Sequence, residues 1–169
     1  MKKVNLFLYD FLMNLEYFSK FKIDFEFEKL ARLHGFVRVF NFKDCDLFNS
    51  KFGFDCTYLN IDKGELDEMV CGVLVKICVG DLNKLSEIFT EFELISAEFE
   101  DFDNENSKSR GYFFRMRHFD AVDYDFNLKS QKEYLDICLN GCLNFSEKFS
   151  LNFKKTTFVG DNTLLEIGL

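Results

Sequence analysis

A chain of 169 residues that is 47% hydrophobic, with 24 Phe and no Pro or Trp, can fill one core without metal or disulfide staples, which excludes an intrinsically disordered protein. Its formal net charge of −8, from 29 acidic and 21 basic residues, opposes phosphate backbones and anionic lipid and favours basic partners. No run of about 18 apolar residues is present, so no membrane-spanning helix is expected.

Met1-Lys2-Lys3 heads an apolar run, but Asn5 and Asp10 interrupt it and no small-residue cleavage site follows, unlike a secretory signal. Six cysteines stand at 45, 56, 71, 78, 138 and 142 without a CxxC pair. Most lie in apolar runs and read as reduced core thiols, which places the chain in a cytoplasm. With no linker or repeat, residues 1–169 are expected to form a single domain.

In chain order, the apolar, aromatic stretches 4–12 and 15–25 read as strands. Asp24 then caps an expected helix over 25–34, with Phe27, Leu30, Leu33 and His34 on one face and Gly35 as its stop. Residues 36–42 read as a buried strand and 52–61 as an alternating one, with a turn at 62–64. The β-branched run 70–79 predicts a central strand. Asp81 caps a short helix carrying Leu82, Leu85, Ile88, Phe89 and Phe92 at helical spacing. Strands over 94–102 and 112–119 flank the polar loop 101–110. Residues 128–149 form a helix that Gly141 kinks or divides, and strands at 153–159 and 163–167 close the chain around a turn at 160–162.

The expected fold class is α+β, an antiparallel sheet with helices on one face. From Val70 onward the order strand, helix, strand, strand, helix, strand is the ferredoxin-like βαββαβ arrangement.

No glycine-rich phosphate loop, GxSxG elbow or HExxH helix is present, and no enzyme is expected. His34 sits at an expected helix end, where it suits the helix dipole; His118 shares a strand face with Phe114 and Met116. Cys138, Cys142 and His118 supply only three zinc donors on a core-facing stripe, so neither metal nor cofactor is expected. Glu98, Glu100, Asp101, Asp103 and Glu105 form the densest acidic stretch, readable as a charged strand edge, an acid–base pair or a patch for a basic partner.

Arg110-Gly111-Tyr112-Phe113-Phe114-Arg115-Met116-Arg117 begins with a basic residue, Gly and an aromatic, and Ile77 to Leu82 lies upstream. These segments partly resemble the RNP1 and RNP2 segments of the RRM family. Phe113 stands in place of a small residue, Arg115 and Arg117 in place of apolar ones, and Cys78 in place of an aromatic. The likeness supports a ferredoxin-like sheet rather than family membership. It implies base stacking on Tyr112 and Phe114, with phosphates met by Arg110, Arg115 and Arg117.

Small size, acidity and the lack of a catalytic motif together lead to the expectation of an acidic inhibitor, of the immunity type, that neutralises a basic protein such as a nuclease toxin. Glu98, Glu100, Asp101, Asp103, Glu105, Asp120, Asp123 and Asp125 would meet the partner's Lys and Arg. The alternative expectation is a nucleic-acid-binding module that uses the Arg110–Arg117 strand.

Overall fold

The computed structural model describes residues 2–43, 46–116 and 121–169. Five strands, β1 (Lys3–Leu8), β5 (Met69–Cys78), β2 (Phe25–His34), β6 (Phe92–Asp101) and β7 (Lys108–Met116), pair in that order and close into a barrel. Every pairing is antiparallel except the closing one, where β1 meets β7 in parallel at Leu6 and Tyr112. A second sheet holds β4 (Thr57–Lys63), β3 (Phe36–Lys43), β8 (Thr157–Val159) and β9 (Asn162–Thr163). Among the described residues, five α-helices accompany them: α1 (Leu15–Ser19), α2 (Asp46–Phe52), α3 (Val79–Ile88), α4 (Lys129–Leu143) and α5 (Glu147–Lys155). No helix among the described residues is long and apolar enough to cross a membrane.

The hydrophobic run of β5 follows from burial on both strand faces. Val70 and Leu74 join Phe7, Ala31, Leu33, Phe99 and Phe113 in a cluster to which all five barrel strands contribute; it fills the barrel. Cys71, Val73, Val75 and Ile77 point the other way, with Leu6 and Leu8, into a larger cluster shared with the helices. The Phe content is spent there. The Phe11 ring lies 5.2 Å from Phe48, 5.0 Å from Phe52, 5.6 Å from Phe54 and 5.4 Å from Tyr134, mostly edge to face. Such contacts add specific geometry to the area they bury.

The α+β class and the elements at 36–42, 70–79 and 81–88 agree with the sequence reading. The ferredoxin-like arrangement does not. β5 takes its neighbours, β1 and β2, from the first half of the chain, and β8 joins β3 in the other sheet instead of returning beside β5.

The expected helix over 25–34 is β2. A register shift between Phe27 and Lys29 puts Phe27 and Leu30, three apart, opposite Val75 and Val73 on one face, so a bulged strand mimics helical spacing. Residues 15–25 hold α1, capped at Lys20, and then a turn with Lys22 at a φ of 56°, instead of a strand. Residues 128–149 are two helices, broken at 144–146, where Ser146 caps α5 through the Phe149 N–H. Gly141 instead lets α4 pass close to the first turn of the chain: a Cβ there would lie 2.7 Å from the Asn14 nitrogen.

Candidate active site

β1 delivers the chain into Tyr9-Asp10 and then a 3₁₀ turn, Phe11–Met13, whose N-cap is Asp10. The Leu12 N–H donates to the Asp10 carboxylate at 2.9 Å. The carboxylate is 8% exposed and borders a cavity of about 20 Å³. Leu6, Leu8 and Leu12 and the rings of Phe18, Phe48, Phe89, Phe92 and Phe114 make up most of the rest of its wall. That volume holds about one water. Burial pushes the Asp10 carboxyl up to about 7, against the pull of the Leu12 and Asp10 N–H groups and of the Arg38 charge. Beside it, burial pushes the Tyr9 phenol well above its ordinary value, so it stays neutral.

Arg38 is the nearby cation. It is wholly buried, donates to Thr157 Oγ1 at 3.0 Å and to the Cys71 carbonyl, and lies 4.3 Å over the Phe153 ring. It thereby ties the second sheet to β5 and α5. Its field reaches Asp10, Tyr9, Cys138 and Cys142. Cys138 and Cys142 are themselves buried core thiols with raised pKa, the inert kind. Among the described residues no group of three or more His, Cys, Asp or Glu is placed to hold a metal ion. His118, the third zinc donor considered from the sequence, lies outside the described residues.

The acidic stretch is neutralised within its own chain. Glu98 pairs with Lys108 at 3.0 Å, Asp101 with Lys29 at 3.6 Å and Asp103 with Lys148 at 2.5 Å. Arg32 takes both Glu100, at 3.3 Å, and Glu105, at 3.7 Å, and His34 also meets Glu100 at 3.3 Å. Burial would raise the Glu100 carboxyl, but the His34 and Arg32 hydrogen bonds outweigh it and hold it below the ordinary range. Asp123 and Asp125 are exposed, with Asp125 accepting from the Asn127 N–H at 2.9 Å. Asp120 and Arg117 fall outside the described residues.

The aromatic strand offers no open stacking platform. Phe114 is buried and packs 4.9 Å from Phe89, and Tyr112 is half-buried against the core. Arg115 is taken by Asp62 at 3.1 Å and Glu93 at 3.7 Å, while Arg110 is exposed. Asp10 was legible only as an interruption of the apolar run Leu6–Leu12. A lone carboxylate in such a run is the one signal that could have marked it.

No protein-family model matches the sequence, and no curated protein does. Solved structures do. A gamma-glutamyl cyclotransferase superposes with a TM-score of 0.72 at 15% identity, covering 96% of this chain and 92% of that one. A gamma-glutamyl cyclotransferase specific to glutathione, from yeast, gives 0.59 at 10% identity over 92% and 96% of the two chains. The YkqA protein of Bacillus subtilis gives 0.62 at 17% identity, over 92% of this chain and 54% of that one. These matches correct the expectations of an immunity-type inhibitor, of a nucleic-acid module and of a chain that is not an enzyme. At such identities the likeness establishes architecture: the chain has the fold seen in gamma-glutamyl cyclotransferases.

Proposed function

We propose that this chain is an enzyme that opens a γ-glutamyl amide by ring closure, with Asp10 carrying the proton. The observation that carries this reading is the Asp10 carboxyl, buried beside an apolar cavity with a pKa of about 7, in a fold shared with a named cyclotransferase. A carboxyl poised near neutrality is half ionised at working pH and can both take and return a proton.

In the reaction the substrate's α-amine attacks its own γ-carbonyl. The new C–N bond closes a five-membered lactam, and the bond to the leaving amine breaks. Ionised Asp10 accepts the proton released by the attacking nitrogen and returns it to the departing one, so charge and atoms balance. The dry aromatic wall excludes water, which would otherwise compete as nucleophile. The cavity holds about one water, so admission of substrate requires rings of its wall to move aside. A reducing cytoplasm suits the free thiols of Cys71, Cys78, Cys138 and Cys142.

The test is release of 5-oxoproline from a panel of γ-glutamyl amino acids, followed by mass spectrometry. Asp10→Asn keeps an acceptor for the Leu12 N–H but cannot carry the proton, so kcat should fall by about 10²–10⁴. Wild-type kcat/KM should rise with pH through about 7 as the base form appears. No ring-closed product from any member of the panel, or an unchanged rate in Asp10→Asn, overturns the reading.

A further inference from the structure

The end of β1 remote from Asp10 is open to solvent. Strand alternation places Lys3 and Asn5 on the face that carries Phe7 into the barrel, and Lys76, the register partner of Asn5, on the face of Leu74. The inward row therefore turns from apolar to polar and cationic at this end. The seam between β1 and β7 is a single register pair, and beside it Asn5 Nδ2 donates across to the Arg110 carbonyl at 3.0 Å. Gly111 permits that approach, since a Cβ there would lie 2.7 Å from the Asn5 carbonyl oxygen.

The result is a cleft of about 420 Å³, within the roughly 300–1,000 Å³ usual for small-molecule sites. Lys2, Lys3, Lys76 and Arg110 line it, with Ser96 and Tyr112. No carboxylate is in the lining, although the chain carries 29 acids to 21 bases. Lys3 is bridged to Glu26 in an exposed pair that holds weakly, and Lys76 to Glu28 at 2.6 Å in a half-buried pair with which the anion would compete. Lys2 and Arg110 make no ion pair among the described residues.

We propose that this cleft binds a small phosphate-bearing molecule, with Arg110 and Lys76 on the phosphate and Lys2 and Lys3 at the rim. The Arg110 fork matches two oxygens of one phosphate, and the lysines add point charges for a multivalent anion. The site is separate from Asp10 and does not depend on the reaction assigned there.

The probe is inorganic pyrophosphate, titrated into the full chain at low salt by calorimetry and followed at the Ser96 and Gly111 amides by NMR. Saturable one-to-one binding that shifts both amides is expected. K76Q/R110Q should weaken it by at least about tenfold. K129Q/K154Q, which removes the same charge elsewhere, should leave it intact. Lys2→Gln, exposed and outside the sheet, should weaken binding severalfold with the fold untouched. Absence of saturable binding, or equal weakening in the two double variants, overturns the proposal.

Discussion

β1 carries two solvents along six residues. Where it runs into Asp10 the surroundings are aromatic and dry, and the one carboxylate is driven toward its neutral form. Where it starts, at Lys3, the cleft is wet and cationic, and the hydrogen bond to Glu26 favours the charged lysine, raising its pKa. Burial sets the ionisation of Asp10, whereas a hydrogen-bonded partner sets that of Lys3. The contrast also explains why net charge was a poor guide to function. The carboxylates from Glu98 to Glu105 are each met by a cation of the same chain, while the carboxylate assigned to chemistry is a single buried one.

Two substitutions break that comparison, one at each end. Phe48 walls the dry end and touches the rings of Phe11, Phe89 and Phe92. Phe48→Ala should cost about 3–5 kcal/mol in urea unfolding. It should also lower the Asp10 pKa, because water reaches the carboxyl. At the wet end, Gly111→Ala pushes a methyl into the Asn5 backbone and should cost a smaller ~1–3 kcal/mol. There the expected signature is faster amide exchange across the β1–β7 seam, with the Asp10 pKa unmoved. A shift of Asp10 in Gly111→Ala would mean that the two ends are not independent.

What the sequence revealed of this architecture depended on how local the cause was. β5 and α3 were legible because β-branched density and three-to-four spacing lie within one segment. The β6–β7 hairpin was legible because its strands are adjacent in the chain. β2 was misread because the bulge between Phe27 and Lys29 breaks its alternation. Barrel closure was invisible because it rests on a contact between Leu6 and Tyr112, far apart in sequence and without a local mark. The candidate site suffered in the same way: burial raises the Asp10 pKa, and the cavity beside it is walled by Phe18, Phe48, Phe89 and Phe92, rings brought from separate stretches of the chain. The cationic cleft was half visible, in that Arg110 and Tyr112 had been singled out. Lys2, Lys3 and Lys76 join them only through the fold.

The most direct test is the site-specific titration of the Asp10 carboxyl carbon by ¹³C NMR in the folded chain, with unfolding free energy measured over the same pH range. A midpoint near 7 is expected, against the ordinary 3.8. The folded chain then binds this proton more tightly than the unfolded one. The stabilisation it brings is complete below about pH 4 and is lost as pH rises toward 7, and Asp10→Asn should remove that slope. A midpoint in the ordinary carboxylate range, with no such loss of stability, would contradict the assignment of Asp10 as the proton carrier.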